Sequence, residues 1–392
     1  MRRFPITSIL LVFTLLVLTV VSASAQSLED LNIQIHGYAT QGFLYTTQNN
    51  IFTTSSSSGS PQWTEAVVNI TAQPESKLRI GVQARYELFG NYANGITLDW
   101  AAADYKQNDR FGVRFGKVKI PSGLFNDIQD IDPSYSWALL PQSVYPLSSR
   151  NSQLALYGGV IYGSLNEFSP KLGQLEYRFW GGESTLPSND GYFLAFKEEG
   201  ITVPDGLSAV EIGEALHWKT PLPGLMIGAS DIQKRPESAA IVAGGALPGT
   251  FTVPAINIPD YFARYEKKKL MVAAEYNRLP GTYVFQFTGA PPASPVAFDD
   301  RAIYGMVTYK VTGKFIAGVY DSQYFNHSSP LGPARYSKDW DVSGRYDLNA
   351  YIYAKVEEHI IDGTAIGYDT TLNPNGLKSS TCLTALKIGV SF

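Results

Sequence analysis

Apolar and polar residues alternate along residues 77–89. Leu78, Ile80, Val82, Ala84, Tyr86 and Leu88 fall on one parity, and Lys77, Arg79, Gln83, Arg85 and Glu87 on the other. Successive side chains of an extended chain point to opposite faces, so the segment predicts a two-faced strand. A helix would instead bring Lys77 and Arg85 into the apolar stripe. The pattern recurs. Ile33, Ile35, Ala39, Phe43 and Tyr45 oppose Gln34, His36 and Thr40. Ile96, Leu98, Trp100 and Ala102 oppose Thr97 and Asp99. Val210, Ile212, Leu216 and Trp218 oppose Glu211, His217 and Lys219. Trp340, Val342 and Tyr346 oppose Asp339, Asp341 and Arg345. With the weaker segments near 63–73, 111–119, 153–164, 224–233, 301–311 and 313–323, the chain carries about sixteen strands of about ten residues. No amphipathic helix separates them, which argues against βαβ architecture.

The connectors alternate as well. Long ones are expected at 47–62, 121–152, 182–208, 235–258, 280–300, 324–337 and 361–380. Short ones are expected near 74–76, 107–110, 166–171, 220–223, 267–269, 311–313 and 347–349. In an up-and-down sheet every long connector then falls at one end. One departs from the rule: 91–94 is only a hairpin turn. The two-ended asymmetry predicts an all-β transmembrane antiparallel barrel of about sixteen strands, with short turns on one side and long loops on the other. Trp340, Trp218, Tyr45, Tyr276, Tyr346 and Phe392 share the apolar parity near strand ends, as residues of aromatic girdles would.

Composition narrows the alternatives. The 392 residues are 44% hydrophobic, 13% aromatic and only 17% charged, against roughly 25% charged in an average soluble domain. Yet the mean hydropathy is -0.08, which excludes a bundle of apolar helices each about 20 residues long. A barrel reconciles the two, because one residue in two faces lipid. Lys+Arg number 31 against 35 Asp+Glu, so no broad basic surface for nucleic acid is implied. One cysteine excludes an intramolecular disulfide. That residue, Cys382, falls on the apolar parity, as an inert lipid-facing thiol would.

The N-terminus reads as an address. Basic Arg2 and Arg3 precede an apolar run over 9–21, and Ala23-Ser24-Ala25 fits a small-x-small cleavage site. The expectation is a signal peptide over 1–25 and a mature barrel over 26–392. Loss of Arg2 and Arg3 would leave 29 bases against 35 acids, a charge of -6.

At the other end Leu386, Ile388, Val390 and Phe392 share one face. This resembles the last strand of Gram-negative outer-membrane barrels, whose final aromatic is read by the barrel-insertion machinery. Phe392 is the candidate insertion signal. The order of strands and the long connector after the fifth resemble the sixteen-stranded bacterial porins. The run Gly116-Lys117-Val118-Lys119-Ile120-Pro121 is similar to the phosphate-selective porin families. The resemblance implies a location in the outer membrane and a homotrimer. It also implies that the third external loop, here 121–152, folds inward and narrows the pore.

That loop carries Asp127, Asp130 and Asp132. The wall offers Arg79, Arg85 and Arg114, with Lys117 and Lys119 where the loop departs. An acidic loop facing a basic wall would set a transverse field at the constriction. The plainer alternative is that these charges only solvate a wide lumen. Tyr135, Trp137 and Tyr145 are candidates for packing the loop against the wall. Phosphate-selective porins line the pore with a basic ladder. Here Glu87, Asp99, Glu176, Glu275 and Asp341 interrupt it. The expected function is therefore passive diffusion of small hydrophilic solutes and ions, with weak selectivity or a mild cation preference.

Three rivals remain open. A substrate-specific channel, for an anion such as phosphate or for a sugar, could use Tyr38, Tyr351 and Tyr353 as an aromatic slide. A barrel enzyme lacks support: His36, His217, His327 and His359 fall in no Gly-x-Ser-x-Gly or His-Glu-x-x-His motif. An adhesion barrel would bind partners through its loops. No cofactor or metal is implied.

Overall fold

The computed structural model describes residues 31–165 and 172–392. The leader expected over 1–25 and the turn expected at 166–171 lie outside them. Along the first part run β1 (Gln34–Thr46), β2 (Trp63–Glu75), β3 (Leu78–Phe89), β4 (Ala93–Asn108) and β5 (Phe111–Lys119). After a long connector come β6 (Ala155–Leu165) and β7 (Gln174–Leu186). The chain continues with β8 (Ile201–Thr202), β9 (Leu207–Lys219), β10 (Leu225–Lys234), β11 (Glu237–Ala243), β12 (Leu247–Val253) and β13 (Ile256–Lys267). The remainder is β14 (Leu270–Phe287), β15 (Val296–Lys310), β16 (Phe315–Asn326), β17 (Tyr336–Asp347), β18 (Ile352–Gly363) and β19 (Ser380–Ser391).

Sixteen of these strands close a barrel. Neighbours in sequence pair antiparallel, with β7 pairing β9 and β10 pairing β13. The ring closes where β1 meets β19, from Tyr38↔Ser391 to Thr46↔Leu383. Closure leaves no strand edge facing lipid, the condition for a β-structure to span a bilayer. Strands about 4.8 Å apart and tilted about 40° give sixteen of them a width of roughly 30 Å.

The two faces of the wall have the reverse of a soluble protein's polarity. On β3, Ile80, Val82 and Tyr86 are exposed, while Gln83 and Arg85 are buried. On β9, Val210, Ile212, Leu216 and Trp218 are exposed, and Glu211 and His217 are not. Polar groups inside and apolar groups outside identify the outer surface as the lipid face. Trp340 and Tyr45 lie outward toward the long connectors; Trp218, Tyr346 and Phe392 lie outward toward the short turns. On β17 the six residue steps from Trp340 to Tyr346 span about 20 Å, close to the roughly 25 Å of an apolar band. Phe392 is tied to the first strand through both backbone bonds with Gly37, at 3.0 and 3.1 Å.

Two expectations are corrected. The segments 235–258 and 280–300 were expected to be connectors, but much of each is strand. β11 pairs β12, β12 pairs the far end of β14 through Gly249↔Phe287 to Thr252↔Val284, and β8 adds to β11. The wall thus rises beyond the barrel on one side. Its inner face is apolar: Ala239, Ile241, Phe251 and Val253 pack together with Tyr283, Phe285 and Phe287 against it. The second correction concerns β4. Gln83 pairs with Trp100 and Ala84 with Leu98, so Asp99 is an extra residue in the ladder. Such a bulge inverts the alternation beyond it. Trp100 and Ala102, expected on the lipid face with Leu98, line the interior instead, beside Asp104.

Candidate channel constriction

The connector between β5 and β6 is bound along its length to inward-facing wall side chains. Its departure requires Gly123, at φ +63, where a Cβ would collide with the Glu275 carboxylate. That close approach lets Glu275 accept the N–H of Leu124 at 3.0 Å. Glu275 also accepts the hydroxyls of Tyr145 at 2.8 and 2.7 Å and of Tyr304 at 2.5 Å. Burial pushes the Tyr145 phenol well above its ordinary range, and the neighbouring Glu275 adds to the effect. The hydroxyl therefore stays protonated and donates.

Asp132 is the most heavily bonded anchor. It is 1% exposed. Lys355 of β18 reaches its carboxylate at 3.0 Å, and Lys387 of β19 reaches the other oxygen at 2.8 Å. Tyr353 donates to it at 2.7 Å. Burial alone would raise this carboxyl. The two ammonium groups outweigh burial and hold it below the usual carboxylate range. The same lysines also bond the loop backbone: Lys355 the carbonyls of Asp132 and Trp137, both at 2.8 Å, and Lys387 that of Ala138 at 3.0 Å. Arg345 of β17 takes the carbonyls of Pro133 and Tyr135 at 2.7 and 2.8 Å. Glu357 accepts the amides of Ala138 and Leu139 at 2.5 and 2.9 Å. Irregular backbone away from the wall ladder would otherwise leave these groups without partners. Trp137 and Tyr145 pack with Phe125, Tyr304, Met306 and Tyr320 into one apolar cluster.

Asp130 is fully buried. Lys119 reaches it at 2.6 Å, Gln83 at 2.7 Å, and Tyr38 donates to its carbonyl at 3.0 Å. Asp127 is less enclosed and pairs with Arg178 at 3.0 Å. At the loop's end Arg150 grips Asp99 through two bonds of 3.1 Å. Burial disfavours the guanidinium charge, but Asp99 reverses the balance and Arg150 is held above its ordinary range. Asp99, on the same inward parity as Thr97, sits at the bulge beyond which the alternation of β4 inverts.

The expected basic wall divides. Arg85 is 2% exposed and closed in by Glu87 at 2.5 Å, Asp99 at 3.4 Å and Glu65 at 3.8 Å. Arg114 pairs with Asp104 at 2.9 Å, and Arg79 approaches Thr71 at 3.4 Å. Arg79, Arg114, Lys117 and Lys119 all line one cavity together with Asp127. The loop's strongest partners, Lys355, Lys387, Arg345, Glu357 and Glu275, were not among the expected residues. Their inward parity was visible, but nothing local marks which of them meets a segment more than a hundred residues away. Tyr38 and Tyr353, considered for a sugar slide, bond the loop instead, while Tyr351 is 64% exposed.

The loop borders two cavities. The first, about 800 Å³, lies toward the short turns and touches Pro121, Asp127 and Ile131. Arg79, Lys106, Arg114, Lys117, Lys119 and Arg178 line it against Asp104, Asp109, Asp127 and Glu176. The second, about 750 Å³, lies toward the long connectors and touches Gly123, Asn126 and Tyr145. Its charged lining is Glu199, Glu211, Glu237, Asp260, Glu275 and Asp300 against Lys234. Elsewhere, Asp341, Glu357 and His359 bring three possible metal-ligand atoms within 4.8 Å of one another. Of these, Glu357 already serves the loop amides, and His359 Nδ1 meets Asp339 at 3.1 Å.

No protein-family model matches the chain, and no curated protein matches it. Solved structures do. An anion-selective porin from Comamonas acidovorans superposes with a TM-score of 0.56 at 10% identity, over 92% of this chain and 99% of that one. OmpF of Salmonella typhi gives 0.56 at 11%, over 94% and 99%. OmpT of Vibrio cholerae, an outer membrane protein solved in a trimer form, gives 0.54 at 10%, over 92% and 99%. At these identities the likeness is one of fold: a sixteen-stranded barrel of the outer-membrane porin type.

Proposed function

We propose that the protein is an outer-membrane channel for passive diffusion of small hydrophilic solutes and ions, with its lumen narrowed by residues 121–152. The observation that carries this reading is the loop itself, fastened inside a polar-lined barrel whose outer face is apolar. A wall of sixteen strands is wide enough for an aqueous path, and a segment bound within it sets the narrowest point. Arg79, Arg114, Lys117, Lys119 and Asp127 are the charges that passing ions would meet on the short-turn side. Asp130, Asp132 and Arg85 hold the constriction rather than face the solute. Opposite charge in the two cavities supports weak overall selectivity, since each favours the ion the other disfavours.

The test is reconstitution of the full chain in planar bilayers. Stepwise KCl conductance is expected, with a small reversal potential in a salt gradient. A strong anion preference would overturn weak selectivity, and a folded barrel without conductance would overturn the channel. Two of the four histidines are engaged by wall side chains: His217 meets Arg178 at 3.3 Å, and His359 meets Asp339 and Tyr320. A trimer, by likeness to the porin fold, should migrate as an oligomer on native gels and collapse to monomer on boiling. Phe392 is proposed as the insertion signal.

A further inference from the structure

The cavity on the long-connector side is built unlike a simple aqueous vestibule. The strands that rise above the barrel give it an aromatic wall. Phe251 and Phe285 lie with ring centroids 5.0 Å apart, and Phe196 meets them edge-on at 5.0 and 5.2 Å. Tyr283 and Phe298 stack at 6.2 Å further along. Below this wall lie the carboxylates of Glu211, Glu237, Asp260, Glu275 and Asp300, answered by one base, Lys234, at 3.7 Å from Glu211. Asp260 is only 4% exposed, and one of its oxygens has no hydrogen-bond partner among the described residues. One oxygen of the half-buried Asp300 likewise has no partner among the described residues. A buried carboxylate oxygen without a donor is costly to maintain, and here two of them border a cavity of about 750 Å³. That volume lies in the range of small-molecule sites, roughly 300–1,000 Å³.

We propose that this cavity binds amphipathic organic cations: an ammonium or quaternary amine carried on an aromatic or aliphatic body. The charged head would sit among Asp260, Asp300 and Glu237, and the body would lie against Phe196, Phe251 and Phe285. Aromatic faces attract cations as well as apolar groups, so both halves of the ligand find a matching surface. Anions are opposed by the acids. A strongly hydrated inorganic cation gains nothing from the aromatic wall. The proposal deepens the channel reading and rests on it for its role, since the cavity lies on the loop-rich side through which a solute would enter.

The probe is benzyltrimethylammonium, with tetramethylammonium, benzyl alcohol and benzoate as controls. Binding to the full chain folded in neutral detergent is read by calorimetry, and KCl current in bilayers is read separately. Saturable binding is expected, with each control weaker by about tenfold or more, as loss of either the charge or the ring implies. Asp300→Asn with Glu237→Gln, and separately Phe196→Ala, should each weaken the probe. The second variant lies in a short surface helix (Leu194–Glu198) outside the barrel wall. Equal affinity for benzyl alcohol, or affinity unchanged in both variants, would overturn the proposal. Channels that conduct KCl without binding the probe would overturn the site and leave the channel reading standing. Binding by a barrel that does not conduct would do the reverse.

Discussion

Two cavities touch the same loop and share the same barrel, yet they are chemical opposites. On the short-turn side six bases face four acids, among side chains that are mostly polar. On the long-connector side six acids face one base beneath a wall of Phe and Tyr. The difference has a structural origin. The first cavity is lined by regular barrel strands, where every second residue faces water. The second is lined partly by β11, β12 and the extension of β14, where the inward parity is apolar. One fold thus presents two different solvents in series, and the loop is what keeps them distinct.

The most severe way to break the distinction is to release the loop. Asp132→Ala would leave Lys355 and Lys387 buried side by side without their acid. Loss of one partner from a buried ion pair costs about 3–5 kcal/mol. Lower resistance to heat on gels and a larger single-channel conductance are expected. Unchanged conductance would show that the loop is not the narrow point. Next in size is the aromatic wall. Phe251 is 3% exposed, and Phe251→Ala should cost about 3–5 kcal/mol if the site does not relax. Thermal unfolding would measure the loss, and KCl current should persist.

A smaller effect is expected from the charges. Replacing Arg79 and Arg114 with Ala should shift the reversal potential toward cations, and neutralising Glu237 and Asp300 should shift it toward anions. Shifts of the same sign would erase the contrast between the cavities. The smallest effect is expected from pH. Because the Asp132 carboxyl is lowered in the folded chain, its stabilisation is complete above the unfolded value of about 3.9. It fades only as pH falls through the lower folded value. Conductance should therefore stay level from pH 7 down to about 4. A sharp opening near pH 5 would contradict the clamp on Asp132.

How much of this could be read beforehand depends on how local the signal is. Alternation across 77–89 is local, and it placed Arg79 and Arg85 inside and Ile80 and Val82 outside: Arg79 lines the short-turn cavity, Arg85 is buried, and both apolar residues are exposed. The departure of the long loop after β5 was equally plain. The bulge at Asp99 was not, because one extra residue leaves no mark on composition and yet moves Trp100 from one face to the other. The strands within 235–258 were hidden by Pro and Gly-Gly at 244–245. Their alternation appears only when Ala239 and Ile241 are set against Phe251 and Val253. The clamp on Asp132 was furthest from view, since Lys355 and Lys387 lie 223 and 255 residues away. Inward parity identified a large set of candidate partners, and only the closed barrel selects among them.

The position of that clamp has a bearing on how the molecule is assembled. Its two lysines belong to β18 and β19, and β19 is the strand that seals the ring against β1. The loop thus has no complete set of anchors until β18 and β19 are in place. Closing the wall and fastening the loop are therefore linked, and a half-built barrel would lack both. For a cell, that ties the quality of the hole to the closure of the wall around it.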